Sequence, residues 1–152
     1  MGLSIRQAKI SEGDDIRSFL HVVIPQSIDG LTHNIPDVVQ NVSANLDMWI
    51  HAPSEVLHVI AEYNGRIVGS ILVKHYWNLC SLFVHPDFQR IGIGTSLLLS
   101  ALEQCRSKSP KRAIWLNADN DALRFYQKLG FEPREVRGGR PSGFTPMQYA
   151  FY

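Results

Sequence analysis

The stretch VHPDFQRIGIGTSLLLSALEQC, residues 84–105, constrains the fold more than any other part of the chain. An apolar strand ends in a His-Pro turn. A loop with Gly92 and Gly94 then runs straight into a helix, whose apolar side chains recur every three to four residues between Leu97 and Cys105. A strand that leads into such a helix needs a sheet on which the helix can pack, which indicates an α/β fold. Glycine weakens a helix start, so two glycines there indicate that the backbone at these positions must be free of side chains.

The rest of the chain predicts one domain, residues 1–152, which is long enough to bury a single core. A first helix is expected to begin at Ser11, with Asp14 three residues on in a capping-box arrangement, and to end at Pro25. Helical spacing of apolar residues predicts a second helix from Ile35 to Ile50. These helices precede the strand-rich part of the chain.

From Val56 the sequence is rich in β-branched and aromatic residues, and Asn64-Gly65 is a tight-turn signal, which predicts an antiparallel meander. The strand–helix–strand unit around the glycine loop predicts one parallel strand pair. A last helix is expected to end at Gly130. The fold class is therefore α/β, a single mixed, mostly antiparallel central sheet flanked by helices. The predicted strands are 5–10, 56–62, 66–75, 76–84, 112–116, 131–136 and 144–152.

Composition excludes several classes of function. The net charge of +1 comes from 15 basic and 14 acidic residues, and neither sign forms a block, so no nucleic acid or anionic membrane is expected as a partner. No membrane-length apolar stretch or signal region is evident, so a cytoplasmic protein is expected. Cys80 and Cys105 are interpreted as reduced residues in apolar segments. The six scattered histidines lack metal-ligand spacing, and no metal is expected.

The glycine loop, QRIGIGT, lies where a helix leaves its first N–H groups without partners and adds partial positive charge. That arrangement suits a phosphate group, which Gln89 or Arg90 would close over. Two glycines alone are equally consistent with a turn and close helix–sheet packing. Leu97 stands where a dinucleotide-binding loop has its third glycine, and the loop lacks the lysine of a nucleoside-triphosphate site. Both of those sites are disfavoured.

The stretch LFVHPDFQRIGIGTSLLLSAL resembles the Gcn5-related N-acetyltransferase (GNAT) family, in which an apolar strand and a turn lead into Q/R-x-x-G-x-G/A at a helix start. Gln89, Gly92 and Gly94 match that pattern in register. The later segment NDALRFYQKLGF, residues 120–131, is similar to the family's A-x-x-x-Y-x-x-x-G-F segment. With the N-terminal layout and the Asn-Gly hairpin, the resemblance covers nearly the whole chain.

The resemblance implies the GNAT fold, with acetyl-CoA as the acyl donor and an amine on a small molecule or peptide as the acceptor. It places the pyrophosphate on the amides of residues 89–95 and the pantetheine arm on the edge of residues 82–84, in a gap before the next strand. It further implies that the N–H near Val84 polarises the thioester and that Tyr126 is the catalytic acid. The implied cofactor-binding residues are Leu82, Phe83, Val84, Gln89, Arg90, Ile91, Gly92, Ile93, Gly94, Thr95, and Asn117 or Asn120.

Cys80 stands where many family members carry a glutamate that acts as base. Several alternatives for the base therefore remain open: a water chain, or the side chain of Glu62, His75 or His85. In a further alternative, the acceptor amine arrives already neutral and needs no base. Arginines 134, 137 and 140 would suit an acidic acceptor, or they belong to a solvated loop. The last strand, FTPMQYAFY, is a possible sheet edge for a homodimer.

Two classes of function remain after these observations. The leading hypothesis is an N-acetyltransferase in which the amine attacks acetyl-CoA directly in a ternary complex. The alternative is a non-catalytic acyl-CoA-binding module of the same fold, which the missing strand carboxylate motivates. A nucleotide-binding protein that uses the glycine loop alone is disfavoured by the absent lysine and third glycine.

Overall fold

The computed structural model describes residues 2–139 and 143–152, which form one seven-stranded sheet with helices on both faces. The sheet order is β1-β2-β3-β4-β5-β7-β6, and every neighbouring pair is antiparallel except β4 and β5. This confirms the predicted mixed, mostly antiparallel sheet. The strands are β1 Leu3–Gln7, β2 Val56–Tyr63, β3 Arg66–Lys74, β4 Asn78–Val84, β5 Ala113–Asp119, β6 Glu132–Pro133 and β7 Phe144–Ala150. The helices are α1 Gly13–Ser27, α2 Ile35–His51, α3 Ile93–Cys105 and α4 Leu123–Lys128.

The sheet separates two apolar layers. α1 and α2 cover one face of the central strands, and α3 covers the other together with the ring of Tyr126 from α4. β2 is buried from Val56 to Ala61 because helices lie on both of its faces. The helical residues of the first layer are Ile16, Phe19, Leu20, Val23, Ile24, Val42, Leu46 and Trp49; those of the second include Ile93, Leu97, Leu98, Ala101, Leu102 and Cys105.

The start and the end of α1 both differ from the prediction. A 3-10 turn, Ile10–Glu12, precedes the helix, and the carboxylate of Glu12, rather than a Ser11 cap, accepts the N–H of Lys9 at 2.8 Å. Arg6 also binds Glu12 at 2.7 Å, which ties this start to β1. Pro25 lies inside the helix instead of ending it, because in the last turn its missing N–H costs a single hydrogen bond.

Backbone conformation sets the bounds of the central strands. β4 begins at Asn78 rather than Tyr76, because His75 and Tyr76 both take positive φ angles, 54° and 63°, and form the turn. Arg112 also has a positive φ of 52°, so β5 starts one residue later than predicted. β5 continues to Asp119 because β7 pairs with it along its whole length.

The prediction that β7 forms a free sheet edge was wrong. β7 lies between β5 and β6, and its outer side pairs with Glu132 and Pro133. Only these two residues of the predicted 131–136 strand are extended in the sheet, with the N–H of Arg134 adding one bond to the Pro146 carbonyl at 2.8 Å. β6 and Arg134 therefore cover the middle of the outer side of β7, from Pro146 to Gln148.

Gly69 on β3 brings α3 against the sheet. A Cβ at this position would lie 2.9 Å from Leu97 Cδ1 and 3.2 Å from Ile93 Cγ2, closer than side chains pack. We expect Gly69→Val to lower the free energy of unfolding by about 2 kcal/mol, as overpacking a dense core does. Denaturant titration measures this. Gly2→Val is the control because nothing lies within 4 Å of its Cβ position, and equal stability of both variants would contradict the prediction.

Candidate functional site

β4 and β5 diverge in the middle of the sheet. On one side β4 pairs with β3 from Asn78 to Val84, whereas its parallel pairing with β5 is limited to Asn78 and Trp115. The β5-facing edge of β4 is thus free of strand partners over Leu82, Phe83 and Val84, as the splay implied by the resemblance requires. A cavity of about 900 Å³ opens at this divergence and reaches the start of α3.

The cavity brings together most of the predicted site residues. Those that line it are Leu82, Phe83, Val84, Gln89, Arg90, Gly92, Ile93, Gly94, Thr95, Asn117 and Tyr126. Ile91 is not part of the wall, and its side chain is 68% exposed. Asn120 also lies outside the wall, with its side-chain oxygen accepting the hydroxyl of Thr145 at 2.9 Å. Of the two predicted asparagines, Asn117 is the one that reaches the cavity.

The start of α3 leaves backbone donors free. Gly92 is the N-cap residue with a φ of 88°, a left-handed conformation that glycine adopts without strain, and no side chain caps the helix. Ser96 donates its N–H to the Gly92 carbonyl at 3.0 Å, so the amides that precede it in the first turn remain open to the cavity. Arg90 adds a positive charge beside them. This donor set fits a diphosphate.

Gln89 holds the loop against β4. Its side-chain amide donates to the carbonyl of Val84 at 3.2 Å, across the 3-10 turn Pro86–Phe88. His85 caps that turn, since its Nδ1 accepts the N–H of Asp87 at 3.1 Å. The loop with the glycines therefore begins from a fixed point at the end of the diverging strand.

Tyr126 reaches the cavity from the α3 side of the sheet. Its ring packs edge-on against Phe125 and Phe131, with centroids 5.1 and 5.5 Å away, and the residue is only 8% exposed. Burial raises the pKa of Tyr126 to about 12. The hydroxyl is therefore protonated at neutral pH and available as a proton donor.

Two polar residues of the wall were not singled out from the sequence as site residues. His33, in the segment between α1 and α2, places its Nε2 2.7 Å from Oδ2 of Asp119 at the end of β5. The two residues are 86 positions apart. No periodicity or motif links them, and only the meeting of the α1–α2 segment with the sheet reveals the pair.

The three side chains considered as bases are not placed at this cavity. Glu62 binds Arg6 at 2.8 Å, His85 lies 3.2 Å from Arg66 through its Nε2, and His75 belongs to the β3–β4 turn. None of the three lines the wall. Cys80 does line it, and burial raises the pKa of its thiol.

Two of the three arginines considered for an acidic acceptor, Arg134 and Arg137, do not line the cavity. The guanidinium of Arg134 stacks on the ring of Trp115, 3.8 Å from its centroid. Arg137 is exposed and lies outside the wall, and Arg140 is not among the described residues. Charged lining side chains are instead mainly acidic: Asp29, Asp119 and Asp121, with Arg90 at the glycine loop.

Residues 2–139 and 143–152 contain no group of three or more His, Cys, Asp or Glu side chains arranged to hold a metal ion. In the same part of the chain, no helix combines the length and the apolar character needed to cross a membrane. Both cysteines are free thiols, Cys105 buried and Cys80 half-buried.

Comparisons with known proteins agree with this geometry. An uncharacterised N-acetyltransferase of Methanocaldococcus jannaschii is 31% identical over 60% of this chain and 46% of its own length. The chain spans about half the length of the curated relatives it matches. PaiA N-acetyltransferase from Thermoplasma acidophilum in complex with coenzyme A has a TM-score of 0.78 at 18% identity, covering 99% of this chain and 100% of that one. A GNAT acetyltransferase from Staphylococcus aureus has a TM-score of 0.74 at 20% identity, covering 99% of both chains. The acetyltransferase (GNAT) domain model matches residues 26–151, and the chain therefore belongs to the GNAT acetyltransferase family, whose co-substrate is acetyl-CoA.

Proposed function

We propose that this chain transfers the acetyl group of acetyl-CoA to a primary amine by direct attack in a ternary complex. One observation carries the proposal: a single cavity joins the unpaired edge of β4, the uncapped start of α3 and the hydroxyl-bearing Tyr126. These are a strand-like edge for an extended amide-containing arm, a site for its diphosphate and a proton donor for its thiol.

The first part of the proposal concerns binding. The open amides at the start of α3 and the Arg90 side chain hold the diphosphate. The edge of residues 82–84 pairs with the pantetheine amides as an added strand would, and Asn117 supplies a further polar contact. The backbone N–H near Val84 donates to the thioester carbonyl, where negative charge develops in the transition state.

The second part concerns the proton donor. A phenol with a pKa of about 12 does not match a thiol in water, whose pKa is about 8.5. Desolvation in this cavity raises the pKa of a thiol as well as that of the phenol, as the raised pKa of the Cys80 thiol in the same wall indicates. A thiolate leaving in the same apolar surroundings is a stronger base than in water, so Tyr126 is suited to protonate it.

The third part concerns the acceptor. Asp29 keeps its carboxylate ionised, because the N–H of Leu31 and the hydroxyl of Thr32 hydrogen-bond to it and lower its pKa. With Asp119 and Asp121 on the same wall, this end of the cavity attracts cations. An amine that arrives as an ammonium ion fits, whereas an acidic acceptor does not. The raised pKa of Cys80 leaves it a neutral thiol, unsuited to carry the acetyl group covalently.

Binding of coenzyme A tests the site. Gly92 and Gly65 have similar positive φ angles, 88° and 83°, and a Cβ at either would meet nothing within 4 Å, so an alanine strains both backbones alike. We expect Gly92→Ala to weaken coenzyme A binding about tenfold in calorimetry, because the strained loop realigns its amides. Gly65→Ala should bind as the wild type does. Equal affinities of both variants would contradict the assigned site.

Turnover separates the enzyme from the binding module. The wild type is incubated with acetyl-CoA and a panel of mono-, di- and polyamines, amino acids and peptides, and thiol release is followed together with the mass of the products. Release with at least one amine, accompanied by its acetylated product, is the expected result. Binding of coenzyme A with no release across the panel would instead favour the non-catalytic module.

A further inference from the structure

We propose that His33 and Asp119 form the general base of this site, with His33 removing a proton from the acceptor ammonium and Asp119 positioning the imidazole. This inference rests on the proposed acetyl transfer. It assigns the base that the strand position of Cys80 does not provide.

The carboxylate of Asp119 is held from two sides. Its Oδ1 accepts the N–H of Asp121 at 3.0 Å, where the chain turns from β5 into the 3-10 turn Asn120–Ala122. Its Oδ2 lies 2.7 Å from Nε2 of His33. An ionised carboxylate only accepts hydrogen bonds, so in the neutral form of the imidazole Nε2 carries the proton and Nδ1 keeps a free electron pair. The pair therefore has the orientation that a base needs.

Packing fixes the imidazole ring. The side chain of His33 is 8% exposed, and its ring lies against that of Phe144, with centroids 5.0 Å apart. Phe144 is the residue of β7 that pairs with Asp119, so one corner of the sheet supports both members of the dyad. His33 nevertheless lines the cavity, so a bound amine can approach its ring.

The dyad lies at the level where the thioester is expected. Asn78 and Trp115 are the paired residues of the parallel strands, and β4 has one extra residue where its register with β3 shifts between Leu79 and Ser81. Counting along both strands with this bulge brings Asp119 to the level of Phe83. Ile114, Leu116 and Ala118 face the α3 layer, so alternation along β5 places Asp119 on the opposite face. Tyr126 belongs to the α3 layer. A proton donor and a proton acceptor therefore flank the gap from opposite faces.

This placement gives a balanced reaction. His33 Nδ1 takes one proton from the ammonium, and the amine electron pair forms the N–C bond to the acetyl carbon. The C–S bond breaks, and its electron pair leaves on sulfur, which takes the Tyr126 proton. The new amide nitrogen loses its extra proton to water, water restores the phenol, and His33 releases its proton to solvent. The net products are an acetylated amine, a free thiol and one proton.

The test compares His33→Gln with His51→Gln, an exposed histidine at the end of α2. We expect His33→Gln to lower kcat/KM about 100-fold at neutral pH, with coenzyme A affinity unchanged, as loss of a general base does. The remaining activity should rise steadily with pH as the free amine becomes populated. The other titratable or charged groups that line the cavity, Asp29, Cys80, Arg90, Asp119, Asp121 and Tyr126, are present in both variants.

Two further variants separate catalysis from structure. Added imidazole should restore part of the activity of His33→Ala, which a purely structural role would not allow. Asp119→Asn should lower kcat/KM about tenfold and show the same change in pH profile as His33→Gln. A wild type that turns over while His33→Gln keeps its rate and pH profile would overturn the base assignment and leave the proposed function intact. A wild type that acetylates no amine would overturn both.

Discussion

Tyr126→Phe is expected to lower kcat by about 1,000-fold while leaving the affinity for coenzyme A unchanged, because general acid catalysis contributes to the transition state and not to binding. The change removes only a hydroxyl from a ring held by Phe125 and Phe131, so the fold should tolerate it. Steady-state thiol release gives kcat, and calorimetry gives the coenzyme A affinity.

Tyr63→Phe is the matched control, since Tyr63 ends β2, is 41% exposed and lies outside the cavity. It should turn over at the rate of the wild type. If Tyr126→Phe does so too, Tyr126 is a packing residue of the α3 layer. If both kcat and coenzyme A affinity fall together, the phenol contributes to binding rather than to proton transfer.

Acidification is expected to lower the free energy of unfolding by about 3 kcal/mol through His58 alone. His58 lies between the sheet and the α1–α2 layer, its Nε2 is 2.7 Å from the Ser70 hydroxyl, and burial lowers its pKa from 6.5 to about 4. Between these two pKa values, His58 therefore binds a proton in the unfolded chain but not in the folded chain. This contribution to stability is complete above pH 6.5 and is lost as the pH falls toward about 4.

Denaturant titrations across this pH range measure the effect as a difference. The gap in stability between wild type and His58→Gln should shrink by about 3 kcal/mol from neutral pH to pH 4, because glutamine does not titrate. Exposed His51→Gln should track the wild type at every pH. The same pH dependence in wild type and His58→Gln would show that the buried imidazole does not govern acid stability.

Local signals in the sequence were sufficient for most of the fold. Apolar periodicity predicted four helices, and β-branched, aromatic and turn residues predicted seven strands in the observed chain order; the glycine loop was placed correctly between β4 and α3. The errors lie where local patterns do not determine backbone angles. The turn at His75 and Tyr76 uses positive φ in residues that carry no turn signal. The position of β7 inside the sheet depends on which strand it meets, and its own composition does not specify that.

The candidate site divides in the same way. Gly92, Gly94 and Tyr126 lie within recognisable motifs, so the sequence predicted that these residues share one cavity. His33 lies in no such motif, and Asp119 was not predicted as a site residue although it lies close to Asn117 and Asn120. Glu62, His75 and His85 looked equally suitable as bases until the fold placed them elsewhere.

The sequence alone determined that a glycine loop joins an apolar strand to a helix, because glycines and helical periodicity act over a few neighbouring residues. Tertiary structure alone decided which polar groups share that cavity. His33 meets Asp119 across 86 positions only because the α1–α2 segment lies over the end of β5 and against Phe144. Such contacts depend on how whole layers pack, and the hydrophobic patterns that drive packing do not encode which polar side chains meet at the rim.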